Sequence, residues 1–155
     1  MCDVQQVFLQ IIANGNAELT FERLRGDVEC YRNKPLLIEV DSMPVSMSGY
    51  VVGLKDVDLI CTNPDLDDLL ASLTILHELA HLRLNHVPKL SNGPSTPTYD
   101  EFIRHRDPKY AFLRSHSHNF EDATEGEAEL LATLLLEYIL NGSSSMPGLT
   151  RNFYS

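Results

Sequence analysis

Apolar positions recur at two different spacings along the chain. Val4, Val7, Phe8, Ile11 and Ile12 fall at helical spacing, and the pattern stops at Asn14-Gly15-Asn16, residues that favour a turn. Phe21, Leu24, Val28 and Tyr31 mark one face of a second helix from about Thr20 to Arg32, which ends before Pro35. The period then shortens. LLIEV (Leu36 to Val40), SGYVVGL (Ser48 to Leu54) and VDLICT (Val57 to Thr62) are rich in β-branched and aromatic residues and read as strands, with Gly53 to Asp56 turning the last two into a hairpin. A small, mostly antiparallel sheet is expected.

Helical spacing returns after Thr62. Asn63-Pro64-Asp65 reads as a helix start, with Asn63 as cap, Pro64 at the first helical position, and Asp65, Asp67 and Asp68 complementing the positive end of the dipole. The helix is expected to run to about Asn85, short of Pro88. Its apolar residues, from Leu69 to Leu84, cover nearly the whole circumference, which predicts packing on several sides. A last run, TEGEAELLATLLLEYILNG, has Leu131, Leu134, Leu135, Tyr138 and Ile139 as its core face and Gly142 just past its end. The elements together predict a single α+β domain over residues 1–155, its sheet packed on these two helices. No repeat or linker divides the chain.

Composition adds exclusions. Hydrophobic content of 43% and charged content of 22% are ordinary for a globular protein, and no apolar run is long enough to cross a bilayer. The start, MCDVQQVFLQ, carries Asp3 where a secretory signal carries positive charge, so a cytoplasmic location is expected. Cys2, Cys30 and Cys61 are widely spaced with no CxxC pair, which argues for reduced thiols over a disulfide framework or a cysteine zinc site. A net charge of −10 and a pI near 4.9, with no offsetting basic stripe, repel a phosphate backbone and argue against direct nucleic-acid binding.

The chemistry concentrates in LTILHELAHLRLNH, Leu73 to His86. On a helix, His77 and His81 lie one above the other, so both imidazoles can reach one ion, while Glu78 projects about 100° away, beside the ion. This is the geometry of HExxH: two neutral imidazoles hold zinc, the metal lowers the pKa of a water, and the glutamate takes that water's proton. The competing reading is a buried helix with hydrogen-bonded core histidines. Three polar groups in an apolar setting then cost about 1–3 kcal/mol each if unpaired, and a shared metal satisfies them together.

A zinc site of this kind takes a third protein ligand and an open position. The HExxHxxGxxH pattern is excluded, because Leu84 and Val87 stand where glycine and histidine belong, and His86 is one residue out of register. The last helix offers Glu125, Glu127 and Glu129. Glu127, one turn before Leu131 and so directed toward the buried face, is the leading candidate, with Glu125, Glu129, a histidine or no third protein ligand as alternatives. Thr124 and Glu127 also fit a capping box, the structural reading of the same residues.

HELAHLRLNH followed by EGEAELLATLLLEYIL resembles the HExxH and ExEAxxxA pair of the ImmA/IrrE family of metallo-endopeptidases. The match covers Leu73 to His86 and Glu125 to Leu136, and extends without a sharp motif over about Thr20 to Thr62. The resemblance implies that His77 and His81 are zinc ligands, Glu78 the catalytic base and Glu127 the third ligand, in an α+β zincin fold with a strand edging the cleft. The family usually has asparagine or aspartate after the motif's alanine, where this chain has Glu129, so the identity of the ligating carboxylate stays open. Family members act on bacterial repressor-type regulators. No helix-turn-helix is evident here, so the implied protein substrate, a transcriptional regulator, is a separate chain.

Between the motifs, Val87 to Asn119 contains Pro88, Pro94, Pro97 and Pro108, and reads as a lid over the cleft or a disordered connection. His116 and His118 offer a weaker source of metal ligands. Arg104, Arg106 and Arg114 concentrate positive charge, for which a solvated loop is the favoured reading. Met43 and Met47 suit either an adaptable groove or, more commonly, gap-filling beside the core. The alternative to a zinc endopeptidase is a zinc-stabilised protein-binding module, and Glu78 discriminates between them, because a purely structural site needs no base beside an open position.

Overall fold

The computed structural model describes residues 3–14, 18–87, 96–104 and 122–142, an α+β arrangement of five helices and a three-stranded sheet among those residues. Helix α1 (Val4–Ala13) starts where the Asp3 carboxylate accepts from the Gln5 and Gln6 amides. Helix α2 (Phe21–Arg32) starts at Thr20, whose hydroxyl accepts from the Arg23 amide at 3.1 Å, and ends at Asn33 in the left-handed region. Each cap satisfies donors that the first turn leaves without helical partners.

Strands β1 (Leu36–Val40), β2 (Gly49–Gly53) and β3 (Asp58–Thr62) form a sheet of order β1-β3-β2. β2 and β3 are the expected antiparallel hairpin, closed by the Leu54 amide donating to the Val57 carbonyl at 2.9 Å. β1 departs from the expectation: it pairs with β3 in parallel, so the sheet is mixed rather than mostly antiparallel. All five residues of β3 are buried, which demands a partner on each edge, and the connection from Asp41 to Ser48 is long enough to carry the chain across β3 before β2 begins. Period-two patterning specifies which face each residue occupies and carries no information on strand direction.

Both sheet faces are covered. Leu36, Ile38, Val51 and Ile60 join the main core with α1, α2, α3 (Asp68–Arg83) and α5 (Asp122–Gly142). On the opposite face, Tyr50, Val52, Leu59 and Cys61 pack with Phe102 of the short helix α4 (Tyr99–Arg104) and with Met43 and Met47, which fill space beside the core. α3 is surrounded by α5, α2, β2 and β3, the packing its all-round apolar surface predicts. It begins later than expected, at Asp67, whose carboxylate accepts from the Leu70 amide at 2.8 Å. Asn63 caps only a turn: its side-chain oxygen accepts from the Asp65 amide while its side-chain amide donates to the Met47 carbonyl, which anchors the strand end. Arg32 joins three elements, forking onto Asp58 at 2.8 and 3.0 Å while donating to the Val87 carbonyl at 2.6 Å, and both charged side chains are fully buried.

Candidate metal centre

α3 and α5 pack along each other, and their facing surfaces carry the polar cluster. His81 is buried and His77 about a quarter exposed. Their Nε2 atoms face one another at 3.1 Å, as the four-residue spacing requires. Glu125 completes the group, with one carboxylate oxygen 3.0 Å from His77 Nε2 and the other 3.4 Å from His81 Nε2. His77, His81 and Glu125 can therefore hold a metal ion. Ligands about 2.0–2.1 Å from zinc at tetrahedral angles stand roughly 3.3 Å apart, close to the separations here, two of which end on different oxygens of Glu125. Glu129, largely exposed, lies 3.4 Å from His77 Nδ1.

Glu127 occupies a different position from the one sequence spacing suggested. Its carboxylate meets His86 Nε2 at 2.9 Å, and His86 Nδ1 meets His81 Nδ1 at 2.9 Å. The reason is rotational. Two positions along a helix turn the side chain through about 200°, so Glu125 and Glu127 leave opposite borders of the stripe formed by Ala128, Leu131 and Leu135. Both borders adjoin α3; only that of Glu125 faces the histidine pair. Thr124 lies inside α5, which already includes Asp122, so the capping-box geometry does not apply.

His86, one residue out of register with the HExxHxxGxxH pattern, is brought to the site by the end of α3. Leu84 caps the helix, Asn85 turns left-handed at φ 60°, the Asn85 amide donates to the Leu82 carbonyl at 3.1 Å and the His86 amide to the His81 carbonyl at 2.9 Å. This is a Schellman ending, which folds the second residue after the cap back over the last turn. Asparagine after Leu84 is the signal that would have revealed it, since asparagine tolerates that backbone region.

Glu78 is buried, and its proton affinity is raised, to a pKa of about 8, by loss of hydration and by the Glu125 charge. His81 is pushed down to about 3 by burial and by its neighbours His77 and His86, so it is neutral, the form a ligand requires. Glu78 and His77 line a cleft of about 320 Å³ with Ser48, Leu73, Thr74, Ala132 and Leu136. Packing beside the lining residues Ser48 and Thr74 is tight: a Cβ on Gly49 would stand 2.6 Å from both the Thr74 methyl and the Cys61 carbonyl oxygen. Residues 96–104 of the long connection pack against the sheet face opposite α3 and so do not cover this cleft. His105, Arg106, Arg114, His116 and His118 lie outside the described residues. Among the described residues no helix is long and apolar enough to cross a membrane. Compared with known protein-family models, with curated proteins and with solved structures, the chain matches none.

Proposed function

We propose that the protein is a zinc-dependent endopeptidase in which His77, His81 and Glu125 hold the ion and Glu78 is the general base. One observation carries the reading: two imidazole nitrogens and the two oxygens of one carboxylate converge within 3.0–3.4 Å, on a buried helix, beside a buried glutamate that lines a cleft. Zinc in this cage supplies Lewis-acid polarisation of a peptide carbonyl and of water.

The remaining chemistry belongs to the chain. Glu78, one residue beyond His77, accepts a proton from the attacking water and delivers it to the amine nitrogen as the peptide bond breaks. The cleft is large enough for a short length of peptide, and Leu73, Ala132 and Leu136 offer apolar surface to a side chain flanking the bond. The resemblance to the ImmA/IrrE family favours a repressor-type regulator on a separate chain as the cytoplasmic substrate.

Elemental analysis of the purified protein is expected to find one zinc per chain, and distinguishes zinc from iron, which also uses two histidines and a carboxylate. His77→Ala loses the metal. Glu78→Gln retains it but cleaves a co-expressed cognate regulator at least roughly 100-fold more slowly. Undiminished cleavage by Glu78→Gln overturns the peptidase reading. Binding of the regulator with no cleavage under any condition replaces it with the zinc-stabilised binding module.

A further inference from the structure

His86 and Glu127 take no part in the proposed metal cage, yet both sit in line behind it. From α5 inward, Glu127 Oε2 lies 2.9 Å from His86 Nε2, His86 Nδ1 lies 2.9 Å from His81 Nδ1, and His81 Nε2 faces His77 and Glu125. We propose that Glu127 and His86 are positioning residues that fix the tautomer and ring orientation of His81, presenting its Nε2 lone pair to the metal. The inference rests on the reading of His77, His81 and Glu125 as ligands.

Proton counting determines the chain's polarity. An ionised carboxylate only accepts, so His86 Nε2 carries its proton and donates to Glu127. A neutral His86 then has a bare Nδ1, which accepts from His81 Nδ1–H. A neutral His81 with its proton on Nδ1 has a bare Nε2, the atom turned toward the cluster. Each contact leaves one tautomer for the next ring. A histidine ligand ordinarily donates its second nitrogen to a carboxylate or carbonyl, which raises its basicity and holds its ring; here an imidazole is interposed, and Glu127 acts across it.

The backbone is arranged to keep the interposed ring in place. The Schellman ending bonds the His86 amide to the His81 carbonyl, so the two residues whose rings meet are also joined main chain to main chain. Immediately beyond, the Val87 carbonyl is held by the buried Arg32, itself forked onto Asp58. His86 is thus fixed on both sides by contacts that do not involve its imidazole. Its side chain is mostly buried, as is that of Glu127.

Nitrogen NMR of histidine-labelled, zinc-loaded protein tests the tautomers without any substitution. The expected result is a protonated Nδ1 on His81 and a protonated Nε2 on His86; the reverse pattern, or a doubly protonated His86, overturns the proposal. Zinc affinity by chelator competition supplies the second test, with His86→Ala and Glu127→Ala each expected to weaken binding 10- to 100-fold. The double variant is expected to be no weaker than the poorer single one, because Glu127 acts only through His86. Cobalt substitution reads the ligand set: Glu125→Gln alters the visible spectrum strongly, and Glu127→Ala leaves its form unchanged. If Glu127→Ala abolishes metal binding as His77→Ala does, Glu127 is itself a ligand and the proposal fails. If both variants bind zinc at wild-type affinity, the positioning role fails while the metal site stands; if the wild-type protein binds neither zinc nor cobalt, the metal reading fails with it.

Discussion

Replacing Glu78 by glutamine is expected to change how stability depends on pH when metal is withheld. The folded protein holds the Glu78 proton with a pKa of about 8, against 4.5 for the ordinary side chain, because the carboxylate is cut off from water and faces Glu125. A folded value above the unfolded one means that the stability contribution is fully present below pH 4.5 and is lost as pH rises through about 8. At about 1.36 kcal/mol for each pH unit the displacement corresponds to about 5 kcal/mol. Water entering the open cleft reduces the penalty of ionisation, so a loss of about 2–5 kcal/mol between pH 5 and pH 9 is expected. Glutamine keeps the shape and cannot ionise. Urea unfolding in chelator, followed across this range, is expected to give Glu78→Gln a midpoint close to wild type at pH 5 and well above it at pH 9. Saturating zinc is expected to erase the difference, since a dication beside Glu78 favours the carboxylate. Parallel curves for the two proteins in chelator, or a Glu78→Gln protein less stable at pH 9, refute the assignment of a buried, proton-retaining carboxylate.

Arg32→Ala is expected to cost about 3 kcal/mol in denaturant unfolding, because it leaves the buried Asp58 with only the more distant Lys34 ammonium at 3.9 Å and the Val87 carbonyl without its Arg32 donor. Asp67→Ala removes the α3 cap and is expected to lower stability by about 1 kcal/mol, measured the same way. Asn85→Gly is expected to preserve stability and zinc affinity, whereas Asn85→Val, forced into φ 60°, is expected to lower stability by about 1–2 kcal/mol and weaken zinc binding by displacing His86.

Local signals were legible wherever a side chain answers to its immediate neighbours. Val4 to Ile12, Thr20 to Arg32 and Leu36 to Val40 lie where periodicity and caps put them, and His77 and His81 meet because four residues make nearly one helical turn. What periodicity leaves open is settled by competition between distant groups. Asn63 has the features of a cap and its side-chain oxygen does accept from the Asp65 amide, but the turn it starts does not continue as α-helix, which begins with Asp67 as cap. β1 lies parallel to β3 because the chain crosses the sheet, which no strand's own pattern records. Glu125 and Glu127 are equally compatible with a glutamate near the buried stripe, and only the docking of α5 on α3 decides which border faces the histidines. His86 is legible only from the helix terminus at Leu84-Asn85, because its spacing from His81 fits no ligand pattern.

The bare α-carbon of Gly49 has a mechanical consequence. Thr74 donates its hydroxyl to the Leu70 carbonyl at 2.8 Å, which locks its rotamer, and a Cβ on Gly49 would stand only 2.6 Å from its methyl. No long, bending side chain lies between strand and helix at this point to absorb a displacement, so β2 and α3 respond to a load as one rigid jaw. The opposing jaw is α5, which brings Ala132, Thr133 and Leu136 to the cleft and meets α3 through side chains. In the proposed peptidase, adjustment to peptides of different girth would therefore fall to α5. Because Glu125 rides on that helix, such an opening would draw a carboxylate away from His77 and His81, coupling the proposed grip on a peptide to the geometry of the proposed metal cage.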